Sequence, residues 1–353
     1  MIQVIKTLEE LEALKDNWEN LFTQASTATP YQTWHFVMTT WQVWHKSDDK
    51  LYIICYNQSK GKAFDAILPC YIDNEANLRL IDYMTDFCEG IIPDTLLECY
   101  DMYYEFVQFI EKDKNVHSVC FDNLRQGSRL MAYLYGLGGC SKIEALTGYT
   151  IVRMKHSENN QDFVDSIIGC NSKHRKKLRK VINDIGNCTM RVLQNTDPYP
   201  EKEIRELGDY MISEGMRTSA YLDDSFFAYF KDLYQNGQLV IMLLYKEAIL
   251  CACKFMLQDK HTNELISWVV LYRNNKNNSE LALLSLDYMY KNGIFNLNYA
   301  RGVYAYKLSK FHPNVYILNR LRVYRSQHDA TMDLGRIYLG KMKRLVYRKL
   351  HGK

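Results

Sequence analysis

One order of secondary-structure elements is written into this chain twice, and few folds accommodate that. From residue 7 to residue 146 the spacing of apolar residues predicts α-α-β-β-β-α-β-α-β. The helices fall over 7–25, 34–44, 103–111 and 128–135, and the strands over 51–56, 64–72, 78–84, 116–121 and 143–146. The first helix is amphipathic: Leu8, Leu11, Leu14, Trp18, Leu21 and Phe22 recur at helical spacing while Glu9, Glu10, Glu12 and Lys15 fill the opposite side. The strands are short apolar runs bounded by polar turns. In the second half a basic helix over 171–185 precedes helices over 201–213 and 225–234. Strands over 239–245, 249–257 and 264–271, a helix over 280–291, a strand over 294–299, a helix over 304–311 and a strand over 315–323 then restore the order. At 353 residues the chain exceeds the roughly 250–300 at which a single core stops growing. A duplicated α/β domain with a mixed sheet is therefore expected, with lobes at 1–148 and 149–330 and a basic amphipathic helix over 331–353.

Composition narrows the class. With 47% hydrophobic and 24% charged residues the chain can bury ordinary cores, which excludes disorder. Charges interrupt every apolar run, so neither a signal peptide nor a transmembrane helix is expected, and the chain reads as cytoplasmic. The ten cysteines contain no CxxC and the nine histidines no HxxxH. They read as reduced thiols and dispersed side chains, with no metal site. A net charge of +3 does not by itself imply nucleic-acid binding, and DNA is not an expected partner. The charge is uneven, however. Residues 173–180 hold six cations and no acid, so an anionic group could lie over that helix, each charge-assisted hydrogen bond to it being worth roughly 1.5–3 kcal/mol. The last helix is also basic, and fits either docking on the second lobe or peripheral contact with the inner face of a membrane.

The stretch 294–307, IFNLNYARGVYAYK, draws several such features together. A strand ends at Arg301-Gly302, where glycine permits a sharp turn, and Tyr306 and Lys307 enter the following helix. In open α/β sheets ligands bind beyond that end of a strand. A surface arginine and core tyrosines would fit the same residues. Upstream, 273–279 reads RNNKNNS and joins a strand to a helix whose free N–H groups would attract phosphate. It lacks glycine, and Glu280 in the first turn would repel an anion there.

Several motifs together resemble the CelD-type bacterial acetyltransferases, a cellulose-biosynthesis-like branch of the GNAT superfamily close to the FemAB aminoacyltransferases. Thr29-Pro30-Tyr31-Gln32-Thr33-Trp34 with Trp41 and Trp44 is similar to that family's N-terminal TPFQSxxW signature. The run 173–180 is similar to its RRNLRR helix, Arg301-Gly302 with Tyr306-Lys307 to its DFxRGxExYK segment, and Ser279 to the serine of its YSPG helix start. Asn298, Tyr304 and Glu280-Leu281 depart from the family's aspartate, acidic residue and Pro-Gly.

The resemblance implies tandem GNAT-like (acyl-CoA N-acyltransferase) lobes. In that fold a strand pair splayed after the fourth strand receives acetyl-CoA or another acyl-CoA, and the next helix start faces its pyrophosphate. The implied reaction is direct acyl transfer to an amine or hydroxyl of a sugar, glycan precursor or small metabolite. A tRNA-linked donor of the FemAB kind, or a non-catalytic module binding an anionic polymer or glycan assembly, remains an alternative. The expected donor contacts are Arg301, Gly302, Ser279, Asn278, Arg273, Arg175 and Arg179. Tyr306 would be the acid toward a leaving thiolate, Glu264 or His261 the base, and Lys307 with Arg301 electrostatic clamps.

Overall fold

The structure, a computed structural model, describes residues 1–58, 61, 63–156 and 162–351; the side chains of residues 306, 310, 334, 337, 341, 348, 350 and 351 lie outside that description. The strands are β1 (Ile2–Ile5), β2 (Lys50–Leu51), β3 (Ile53–Tyr56), β4 (Ala66–Leu68), β5 (Cys70–Ile72), β6 (Asn77–Leu80), β7 (Ser118–Arg125), β8 (Cys140–Arg153), β9 (Cys188–Leu193), β10 (Val240–Lys246), β11 (Ile249–Asp259), β12 (Glu264–Tyr272), β13 (Asn296–Arg301) and β14 (Asn314–Tyr324). The helices are α1 (Leu8–Ala13), α2 (Lys15–Gln24), α3 (Trp34–Trp44), α4 (Tyr100–Lys112), α5 (Arg129–Leu137), α6 (Phe163–Ser166), α7 (Ser172–Asn183), α8 (Glu201–Ser213), α9 (Asp224–Gln235), α10 (Asn275–Lys291), α11 (Ala305–Phe311) and α12 (Gln327–His351). Strands β1, β3 and β4 form a small sheet, and the other eleven form one sheet in the order β2-β5-β6-β7-β14-β8-β13-β12-β11-β10-β9.

The mixed α/β class and the two repeated lobes are as the sequence predicted, but the lobes share their centre. Strand β14, from the second half, inserts between β7 and β8 of the first, while β8 runs on to pair with β13. A division at 148/149 therefore falls inside a continuous strand. The expected strand over 143–146 is short because Ser141, Lys142, Glu144, Thr147 and Gly148 read as loop; pairing with β14 along one edge holds them extended.

In the second lobe both faces of the sheet are covered. Ile241 and Leu243 of β10 join α8, α9 and the first-lobe residues Tyr31, Phe36 and Phe87 in one core. Met242 and Leu244 join α7, α10 and α11 in another. Strands apolar on both faces read as near-continuous hydrophobic runs, which is how β10 appears in the sequence, and β11 apart from Lys254. Across the lobes α3 lies on α9, with Thr39 Oγ1 donating to Asp232 Oδ2 over 2.8 Å and Thr40 2.7 Å from the Tyr229 hydroxyl.

The lobes treat their equivalent strand pairs differently. In the first, parallel pairing of β6 with β7 stops at Leu78↔Val119, and the chain after β6 returns to fill the opening. There Cys88 bridges to Leu124, its N–H donating to the Asn123 carbonyl over 3.1 Å. In the second, β12 and β13 part after Ile266↔Asn298 and leave a space.

Candidate functional site

Two irregularities open that space. Strand β12 carries a bulge at Trp268 opposite Phe255 and Met256, and β13 shifts register against β8 between Asn298 and Arg301. Asn298 holds the second: its Oδ1 accepts the Ala300 N–H over 2.9 Å while its Nδ2 donates to Glu264 over 3.0 Å. Ala300 sits at φ 54° and Gly302 at φ 98°, both left-handed, so the chain leaves the sheet here and turns into α11. Gly302 is required twice over. Its backbone is one that L side chains rarely adopt, and a Cβ would lie 2.4 Å from the Tyr304 ring. Gly302→Ala is expected to lower stability by about 1–3 kcal/mol and to displace Tyr304, as a urea midpoint and tyrosine fluorescence would report.

The splay encloses a cavity of about 440 Å³ lined by Asp86, Arg217, Lys254, Trp268, Arg301 and Lys307 among others. It adjoins a groove of about 570 Å³ between α7, α10 and α11, with Asn275, Asn278, Tyr299 and Lys307 lining both. Lys307 is 7% exposed, and its ammonium donates to the Tyr299 carbonyl over 2.6 Å and the Arg301 carbonyl over 3.1 Å. Burial pushes its pKa down to about 8, against the pull of Asp86. Asp86 comes from the segment that fills the first lobe's opening. Its Oδ1 lies 3.4 Å from Arg301 Nε, and the Tyr31 hydroxyl donates to its Oδ2 over 3.4 Å. Burial raises the Asp86 pKa although Arg301 opposes it. Lys254 of β11 is 1% exposed, its ammonium 5.9 Å from the centre of the Tyr299 ring.

Tyr31 reaches this place through the Thr29–Trp34 segment. Gln32 is buried, accepts from the Thr29 N–H over 3.0 Å and donates to the Phe87 carbonyl over 2.9 Å, which pins the turn. The Tyr31 ring then packs edge-on to Trp268 with centroids 5.7 Å apart.

Of the residues singled out from sequence, Arg301, Lys307 and Asn278 line the splay cavity, Asn278 and Ser279 line the groove, and Gly302 makes the turn. Tyr306 lies on α11, but its side chain is outside the described residues. Helix α10 starts five residues earlier than expected, because Asn274 caps it by accepting the Asn277 N–H over 3.0 Å. Ser279 is thus one turn inside, its hydroxyl donating to the Asn275 carbonyl over 2.8 Å. Glu280 is not poised against a bound anion: it is 1% exposed and pairs with Lys246 at 2.8 Å. Arg273 donates to the Leu250 carbonyl over 3.0 Å, lies over the Tyr210 ring, and lines neither cavity nor groove.

Arg175 and Arg179 depart from expectation as well. Arg175 sits 3.8 Å from Asp165, and Arg179 pairs with Asp162 at 2.7 Å and with Asp165. The acids of α6 and its cap therefore neutralise part of a charge that has no counter-ion along its own helix. His174 and Lys177 of the same helix line the groove instead. His261 is elsewhere, in an interlobe crevice with its ring 5.4 Å from Phe22. Glu264 does not line the cavity; burial raises its pKa while the Asn298 amide opposes the rise. Sequence reasoning missed Asp86, Lys254, Trp268 and Arg217. Lys254, a charge inside the apolar run ILCACKFML, was the one with a readable signal.

No family model matches the sequence, and no curated protein does. Solved structures do match in fold. FemX superposes with a TM-score of 0.59 at 8% identity, covering 90% of this chain and 96% of its own. The L-PGS of Bacillus licheniformis gives 0.58 at 14% identity, covering 94% and 96%. A protein of unknown function from Bacteroides thetaiotaomicron gives 0.57 at 9% identity, covering 92% and 100%. At such identities the likeness is one of fold alone: this chain has the fold of FemX and of that L-PGS.

Proposed function

We propose that this chain is an acyltransferase that receives an activated acyl group between β12 and β13 and passes it to an amine or hydroxyl of a small molecule or glycan precursor. What supports this is one cavity lined by both a buried lysine of lowered pKa and a buried carboxylate of raised pKa, at the open ends of two parallel strands. Perturbed groups of opposite kind in one cleft mark acid–base sites. As an acceptor nitrogen attacks the donor carbonyl, a C–N bond forms and Asp86 takes the amine proton. Lys307 and Arg301 stabilise the charge on the carbonyl oxygen. The C–S or C–O bond to the carrier then breaks, and the leaving atom regains a proton from Lys307, a better acid than an ordinary lysine. Alignment of the partners is the larger contribution, about 7–11 kcal/mol, against the 10²–10⁴-fold of a positioned base.

An acyl-CoA fits as donor, its acyl end in the splay and its remaining length along the adjoining groove toward Asn278, Ser279 and Lys177. A tRNA-linked aminoacyl donor is the second reading. It is favoured by the exposed Lys173, Lys176, Lys177 and Lys180 on α7 and by the lack of glycine before α10. Thermal shift of the whole chain with acetyl-CoA, longer acyl-CoA thioesters and an aminoacyl-tRNA analogue separates the two. A ligand at a hundredfold over its Kd adds about 2.7 kcal/mol to stability. A shift with thioesters alone supports the first donor, a shift with the tRNA analogue alone the second, and no shift with any of them overturns the transferase reading.

A further inference from the structure

The last helix carries features that the proposed reaction does not use. Helix α12 is joined to the body at its first turns, where Asp333 accepts hydrogen bonds from Arg322 over 3.0 Å and from Tyr324 over 2.5 Å. Beyond that point it presents Tyr338, Leu339, Met342, Leu345 and Val346 to solvent, with exposures of 65, 61, 62, 59 and 53%. Their spacing of three and four residues puts them along one side of the helix. A row of large apolar side chains left in water on a long helix is unfavourable unless something covers it.

The charge of the helix indicates what that is. From 334 to 353 the sequence holds seven lysines and arginines and no aspartate or glutamate. Arg336 and Lys343 fall on a side flanking the apolar row, as the helical spacing requires. A second copy of the helix packed on this row would bring two such cationic sets together with no acid between them. An anionic surface would be drawn to the same cations. Among the described residues no helix is long and apolar enough to cross a membrane, so an apolar row bordered by cations suits a helix lying in the plane of an interface.

We infer that α12 docks the protein on an anionic phospholipid surface, with the Tyr338–Val346 row entering the headgroup boundary and the flanking lysines and arginines facing lipid phosphates. The inference is independent of which acyl donor is used and of whether transfer occurs.

Co-sedimentation of the full chain with vesicles tests it. Binding is expected to vesicles of phosphatidylcholine with phosphatidylglycerol and not to phosphatidylcholine alone, and to weaken as salt screens the charges. Leu339→Glu/Leu345→Glu, at exposed positions that leave the body intact, should weaken binding at least about tenfold, as should Arg336→Glu/Lys343→Glu. Far-ultraviolet circular dichroism confirms that each variant is folded. The inference is overturned if the unaltered chain does not bind the anionic vesicles, if neither double variant changes binding, or if sedimentation velocity shows a dimer that Leu339→Glu/Leu345→Glu dissolves.

Discussion

Lys307→Met should reduce acyl transfer by about 10²–10³-fold, measured as single-turnover rate with saturating donor. Two effects combine. The change removes the positive charge that supports the carbonyl oxygen and supplies a proton to the leaving atom. It also removes the donor that ties the Tyr299 and Arg301 carbonyls together across the turn at Gly302. Buried acceptors left without a donor cost about 1–3 kcal/mol, so the urea midpoint should fall as well. Linkage separates the two effects. Burial brings the folded-state pKa of Lys307 down to about 8, below the ordinary lysine value of 10.5, so between those limits the unfolded chain binds more protons. The lysine's contribution to stability therefore rises with pH across that interval, and the methionine variant should lack this rise. A variant that loses stability but keeps its transfer rate would leave Lys307 a purely structural residue.

Asp86→Asn should lower the rate by about 10²–10⁴-fold while changing stability by less than about 1 kcal/mol. The amide has the same shape and can still meet Tyr31 and Arg301, but it cannot take a proton. Because burial already disfavours the charged carboxylate, neutralising it also removes an unfavourable term. The pH profile is the sharper readout. Transfer needs Asp86 ionised and Lys307 protonated, so the rate should rise on an acid limb displaced above the ordinary carboxylate range and fall on an alkaline limb near 8. Asparagine should abolish the acid limb and leave the alkaline one. Full activity with both limbs intact would move the proton acceptor to another group.

Both residues line one cavity, yet they were unequally visible. Lys307 stands in a stretch where strand, glycine and helix follow one another, so local pattern alone drew attention to it. Asp86 comes from a segment of the first lobe with no regular spacing, and it matters only because that segment fills one lobe's opening and passes beside the other's. The arginines of α7 illustrate the reverse error. A run of cations without acids suggested a free charge, whereas Asp162 and Asp165, just upstream, fold back onto Arg175 and Arg179. The start of α10 was misplaced because asparagines at 274, 275, 277 and 278 are equivalent candidates in sequence, and one backbone N–H selects among them.

From the sequence alone came the class of fold, the repeated order of elements, most helices and strands within a few residues, and the Arg301-Gly302 turn with its lysine. All of these are expressed in apolar spacing and turn chemistry over ten to twenty neighbouring residues, on the order of one or two elements. Tertiary structure alone decided that β14 crosses into the first lobe, that β8 runs unbroken between the lobes, that one strand pair is filled while its counterpart is open, and that Asp86, met by the Tyr31 hydroxyl, lines that opening. Strand pairing and burial are settled between segments far apart in the chain. The free energy that selects them belongs to the assembled sheet and to no single stretch of sequence.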